Sequence, residues 1–134
     1  MAGETIGRAD AGILVYLGVA AGDTEADAAW IADKAACLRI FEDAEGKMNS
    51  SVIEAGGSAL VISQFTLLAD SRKGRRPSYS DAAPPDDAKH LYERFVEVLR
   101  TYLPRVETGI FQANMRVSYT NEGPVTIILD SRKI

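Results

Sequence analysis

The sequence predicts an α+β domain: a compact, largely antiparallel, barrel-like sheet with two main helices packed on its outside. Three observations carry this. Several short runs are rich in β-branched and aromatic residues, two longer stretches repeat apolar residues at helical spacing, and their order is not the regular alternation of a doubly wound parallel sheet.

The first element is Ala11 to Val19, AGILVYLGV, an apolar run of strand length closed by AAGD. A helix follows from Thr24 to about Leu38. Thr24 can cap it, Asp27 stands three residues on as a capping box requires, and Ala28, Ile31, Ala32 and Ala35 recur at helical spacing. RIFED and SSVIEAGG, separated by the turn AEGKMN, read as short strands punctuated by glycine. Ala59 to Ile62 form an apolar strand that runs directly into SQFTL. The second helix, PPDDAKHLYERFVEVLRTYLP, opens on prolines and acids and sets Leu91, Phe95, Val98, Leu99 and Tyr102 on one face. It stops at Pro104. In the last third Met115, Val117 and Tyr119 alternate with Arg116, Ser118 and Thr120, and after NEGPVT a further strand spans Val125 to Leu129.

With 134 residues and 46% apolar content the chain suits a single domain over residues 1–134, burying roughly two-thirds of the surface of its unfolded form. No apolar stretch approaches the roughly 20 residues that cross a bilayer. The opening MAGETIGRAD lacks the apolar centre of a signal peptide, so a cytoplasmic protein without a membrane partner is expected. Cys37, the one cysteine, is expected as a small buried hydrophobe. A net charge of -4 and a pI near 5.0 argue against a whole-surface nucleic-acid binder but leave room for a local basic site. SRKGRRP supplies one, with Arg72, Lys73, Arg75 and Arg76 around Gly74. In isolation the run reads most simply as a solvated loop; against phosphates, its guanidinium forks would grip.

Familiar catalytic sets do not assemble. Ser-His hydrolysis needs an imidazole, and the one histidine, His90, shares a helical stripe with Arg94 and Glu97, opposite Leu91 and Phe95, as a surface residue does. Zinc ligands are too few, and Glu42 with Asp43 or Asp86 with Asp87 sit in turn or helix-start sequence as solvated charge. No G-x-S-x-G surrounds Ser63, and no glycine-rich phosphate loop opens a helix; neither metal nor cofactor is expected. Catalysis must lean on backbone groups, hydroxyls, amides or the substrate itself.

SQFTL at Ser63 to Leu67 and NEGPVT at Asn121 to Thr126, with GRRPSYS, PPDDA and TGIFQANM between them, resemble the D-aminoacyl-tRNA deacylase family over nearly the whole chain. The resemblance implies a homodimeric β-barrel with outer helices that hydrolyses the ester joining a D-amino acid, or glycine, to the terminal ribose of tRNA. It implies that the Gly123-Pro124 peptide is cis and enters the partner's site, its carbonyls meeting the substrate's α-amino group, with Asn121, Val125 and Thr126 supporting the loop. Ser63, Gln64, Phe65 and Thr66 become the catalytic pocket floor, and N–H groups around Phe65 and Thr66 the oxyanion donors. Water attack, assisted by the neighbouring ribose hydroxyl, is preferred; a Thr66 nucleophile would lack a base. Phe111 matches a pocket-lining aromatic or is a plain core residue. Arg72, Lys73, Arg75 and Arg76 become contacts for the tRNA acceptor end. One departure stands out: family members usually carry a strand before the residues matching GETIG, with an arginine that backs the Gly-Pro loop, and this chain has no counterpart. An inactive dimer that binds tRNA ends, and a relaxed deacylase accepting some L-aminoacyl-tRNA, are the alternatives.

Overall fold

Residues 4–132 are described here in a computed structural model. In chain order it contains β1 (Gly12–Leu17), α1 (Glu25–Cys37), β2 (Phe41–Glu42), β3 (Met48–Ser50), β4 (Ser58–Ser63), a 3₁₀ turn (Phe65–Leu68), α2 (Pro85–Tyr102) and β5 (Val106–Thr108). The α+β class holds, but the sheet departs from expectation. Its strand order is β1-β4-β5, and both pairings are parallel, with Ile13 opposite Ala59 and Ala59 opposite Val106. No closed barrel forms among the described residues, and antiparallel ladder pairing is confined to β2 with β3. The reason lies in the connections. Parallel neighbours need long crossovers, and α1 and α2 supply them; the intervening β2–β3 hairpin disguises the β-α-β order in the sequence.

Both helices pack together against one face of the sheet. Ile13, Val15 and Leu17 of β1, Ala59 and Val61 of β4 and Val106 of β5 point to that face, as the period of two requires. α1 opposes them with Ala28, Ala32 and Ala36, whose small side chains let α2 bring in Leu91, Phe95 and Leu99. Phe95 and Leu99 are almost wholly excluded from solvent. α1 starts where predicted: the Asp27 carboxylate accepts the Thr24 N–H at 2.8 Å, and that bond, with a further one from Ser131, holds its carboxyl below the ordinary range. α2 carries Pro85 and two acids in its first turn. Two polar contacts join the helix surfaces, Tyr102 Oη donating to Asp33 Oδ1 at 2.7 Å and His90 Nε2 lying 3.2 Å from Glu25 Oε1. His90 is thus the surface residue expected.

Three further expectations fail. Cys37 is exposed, because the inward stripe of α1 is Ala28, Ala32, Ala35 and Ala36, and residue 37 falls beside it. SSVIEAGG is not a strand: Ser51 and Glu54 exchange side-chain-to-backbone hydrogen bonds at 3.0 and 3.2 Å and fold the segment into a turn around buried Val52. The strands expected at 115–120 and Val125–Leu129 are absent. Met115 and Val117 are half-buried and Arg116 and Ser118 exposed, so the alternation holds over 115–118, but Tyr119, expected on the inward face, is exposed. A ladder needs a paired edge as well, and among the described residues no ladder includes these segments.

Candidate active site

Because β1, β4 and β5 run parallel, their carboxyl ends emerge at one edge, where open sheets of this kind hold their ligands. Past β1 stands Gly18; at the end of β4, Ser63, and past it Gln64 to Thr66; past β5, Gly109 to Phe111. The Gln64 N–H donates to Leu17 O at 2.8 Å, and the Gly109 N–H to Val61 O at 3.4 Å, so the three exits are stitched side by side.

At Gln64 the backbone leaves the strand, and Phe65 to Leu68 wind into the 3₁₀ turn. The strict alternation that would send Ser63 with Phe65 and Gln64 with Thr66 to opposite faces therefore ends here. The first bond of the turn runs from the Leu67 N–H to Gln64 O at 3.2 Å. The preceding amides, of Phe65 and Thr66, have no acceptor within the turn, as the opening amides of any helical segment do not. They are main-chain donors for an incoming oxygen. The Gln64 carboxamide donates to Thr66 Oγ1, which leaves the threonine proton free to donate elsewhere. No imidazole or carboxylate bonds to that hydroxyl among the described residues, and His90 is engaged with Glu25.

Gly18 makes the turn possible, a role the sequence reading missed. A Cβ there would stand 2.6 Å from Leu68 Cδ2, 3.1 Å from Leu67 Cβ and 3.2 Å from Gln64 O, so a side chain would have to displace Leu68 and crowd the start of the turn. Phe111 is half-buried on the Tyr92 ring, with centroids 6.0 Å apart, and packs on the hydrophobic core while flanking the same edge. Burial pushes the Tyr92 phenol upward, and its Oη donates to Val61 O at 3.2 Å.

The basic loop leaves the site through Asp70. A two-bond bridge between Asp70 and Ser78, at 2.7 and 2.8 Å, closes its base. Arg72 then turns back and grips the Asp70 carboxylate with Nε at 2.9 Å and Nη2 at 2.7 Å. This fork, with the Arg72 N–H, lowers the Asp70 carboxyl to about 2. Arg72 is consequently committed to shaping the loop, while Lys73, Arg75 and Arg76 stand exposed. The Asp-x-Arg spacing carried that signal in the sequence.

The Asn121 side chain organises the second motif: its Nδ2 donates to Thr126 Oγ1 at 3.1 Å and its Oδ1 accepts the Val125 N–H at 3.3 Å. Gly123-Pro124 is cis and both residues are exposed. Val125 is half-buried. Among the described residues no hydrogen bond joins this loop to Ser63–Thr66, so within one chain the two motifs are separate.

Two main-chain amides, a hydroxyl and a carboxamide at Gln64–Thr66, followed along the chain by a cationic loop, are groups that can bind a polar substrate. No group of three or more His, Cys, Asp or Glu side chains is gathered as a metal site among the described residues. Comparison with known proteins makes the class particular. A family model described as D-Tyr-tRNA(Tyr) deacylase matches residues 1–130, and the chain belongs to that family. A D-aminoacyl-tRNA deacylase of Geobacter sulfurreducens is 58% identical over 130 residues, spanning 97% of this chain and 86% of the relative. One from Desulfitobacterium hafniense is 56% identical over 131 residues, spanning 98% and 88%. A solved structure described as "c-Myc DNA Unwinding Element Binding Protein" superposes with a TM-score of 0.84 at 40% identity, over 89% of this chain and 81% of that one. A probable eukaryotic D-amino acid tRNA deacylase shares the fold, with a TM-score of 0.65 at 19% identity over 77% of this chain and 76% of the other.

Proposed function

We propose that this protein is a chiral-proofreading esterase, which hydrolyses the ester bond of D-aminoacyl-tRNA, and of glycyl-tRNA, to release the amino acid and tRNA. The observation that carries the reading is the family match over residues 1–130, joined to a strand-end turn whose Phe65 and Thr66 amides find no acceptor within it. An ester on a ribose is already activated, so a positioned water suffices as nucleophile. As it adds, charge develops on the carbonyl oxygen, and the Phe65 and Thr66 N–H groups receive it; one such donor is worth about 2.7–4 kcal/mol. The Thr66 hydroxyl, held by Gln64, donates rather than attacks. The neighbouring ribose hydroxyl assists the proton transfer.

Selection by handedness belongs to Gly123 and Pro124. In this reading two chains form a homodimer, and each lends its Gly-Pro loop to the other's pocket, where the main-chain carbonyls bind the α-amino group. An L side chain would then collide with the loop, a D side chain would point away, and glycine would pass. That this loop makes no bond to its own chain's pocket is in keeping with such an exchange. Lys73, Arg75 and Arg76 take phosphates of the acceptor end, with Arg72 as their brace. The whole domain, residues 1–134, acts as one unit in the cytoplasm beside translation. No helix among the described residues is long and apolar enough to cross a membrane.

The test is incubation of D-tyrosyl-tRNA, L-tyrosyl-tRNA and glycyl-tRNA with the protein. D and glycyl turnover with L spared is expected; equal cleavage of D and L esters refutes chirality checking, and binding without turnover refutes the enzyme. A monomer in sedimentation that still discriminates would refute the exchanged loop.

A further inference from the structure

Beside the catalytic turn lies an aromatic surface that the mechanism does not use. Phe65 leaves 58% and Tyr79 40% of its surface exposed, although both are large apolar rings. They meet edge to face, centroids 5.1 Å apart and planes at 63°. Such a pair fixes both rings without covering the remaining face of either. Tyr79 directly follows Ser78, whose backbone bridge with Asp70 closes the basic loop. The ring is therefore anchored at the mouth of the segment carrying Lys73, Arg75 and Arg76. Exposed aromatic faces at the foot of a cationic loop are what single-stranded nucleic acid requires: the rings take bases and the cations take the backbone.

We infer that Tyr79, buttressed by Phe65, is a stacking subsite for a nucleobase of the unpaired 3′ end of tRNA, next to the base that carries the amino acid. This rests on the deacylase reading and adds a positioning residue to it. Tyr79 touches neither the ester nor the attacking water. It fixes the strand's approach, so that the ester arrives at the Phe65 and Thr66 amides while the loop cations hold the flanking phosphates. Neighbouring bases hold an angled strand better on one rigid ring than on phosphate contacts alone, since ion pairs constrain distance more than orientation.

The probes are two non-hydrolysable amides: D-tyrosyl-amino-adenosine, and the same group on the trinucleotide cytidine-cytidine-adenosine. The unmodified protein is expected to bind the trinucleotide more tightly. Tyr79→Ala and Tyr79→Leu should each lose about 5- to 150-fold in trinucleotide affinity, the range for removing one stacked base, and leave adenosine binding unchanged. Tyr79→Phe should restore it. Leu keeps the bulk against Phe65, so its loss would report stacking rather than a collapsed loop. Adenosine binding that survives together with unchanged trinucleotide binding in both variants overturns the subsite alone. So does an equal loss for both probes, which would make Tyr79 a merely structural support. If a thymidine hexamer competes as well as the trinucleotide, the surface is a general single-strand site and the inference falls. Failure of the unmodified protein to bind either probe overturns the deacylase reading and the subsite with it.

Discussion

Replacing Gly123 by alanine tests the proposed chiral gate at one atom. Gly123 has a φ of +132°, a region populated essentially by glycine, and an added Cβ would lie 3.1 Å from Val125 Cγ2 and 3.2 Å from the Val125 nitrogen. Holding alanine in that conformation costs about 1–3 kcal/mol. The loop's own restraint is the pair of Asn121 hydrogen bonds, each worth about 0.5–1.5 kcal/mol net and less when exposed. The two terms are comparable, so the exposed loop yields locally and the fold survives. A penalty of that size lowers the population of the correct loop by about 5- to 150-fold. We expect kcat/KM for D-tyrosyl-tRNA to fall by that factor in single-turnover deacylation, while the thermal midpoint moves by only a few degrees. The reasoning is refuted if the alanine variant cleaves the D ester at the original rate, or if its midpoint collapses along with its activity.

Three other outcomes follow from the same geometry. Arg75→Glu with Arg76→Glu should weaken tRNA binding and flatten its dependence on salt, by about 0.7 in the log-log slope for each single-strand phosphate that is no longer neutralised, with the D-to-L rate ratio unchanged. Thr66→Ala should keep deacylation within about a thousandfold of the original, a loss on the scale of a donor rather than a nucleophile; complete inactivity would restore the threonine to the chemistry. Asp70 should titrate at about 2 in a carboxyl-resolved NMR experiment, against an ordinary 3.8. Because the folded carboxyl is the more acidic, the Arg72 clamp is complete above the ordinary value and is lost as pH falls through about 2. In Arg72→Ala the midpoint should return toward 3.8, and a midpoint that stays low would show that the fork is not its cause.

What the sequence disclosed was what short-range chemistry decides. Thr24 with Asp27 marks a helix start by contacts three residues apart, and the α2 face is a matter of spacing within one element. Strand direction is different, because the residues of β4 would look the same beside either neighbour, and only the crossovers α1 and α2 determine that it lies parallel. The run from Ser63 into FTLL likewise reads as continuing strand. It turns because Gly18, 45 positions earlier in the sequence than Ser63, leaves space for Leu67 and Leu68 to pack back. Alternation in 115–120 was legible as side-chain pattern, yet pairing depends on an edge that local sequence does not name. The motif residues were therefore found by resemblance, while Gly18 and Tyr79, which pack against the turn after Ser63, emerge only once the chain is folded.

The direction of the sheet also explains why the residues of the proposed site lie together. In an antiparallel meander β1 and β4 would discharge at opposite edges if adjacent, and Gly18 could not lie under the Gln64 turn. Parallel strands bring Gly18, Ser63–Thr66 and Phe111 to one edge, with α1 and α2 fixing the strands from behind. The site can then consist of main-chain atoms, since the strand ends themselves set their positions and no long side chain has to be ordered. The Asn121–Thr126 loop makes no hydrogen bond to Ser63–Thr66 among the described residues; it is organised by its own asparagine and stands largely exposed. In the proposed dimer, assembly would bring that loop to the partner's Ser63–Thr66 turn, and this is the physical content of proposing that two chains exchange it.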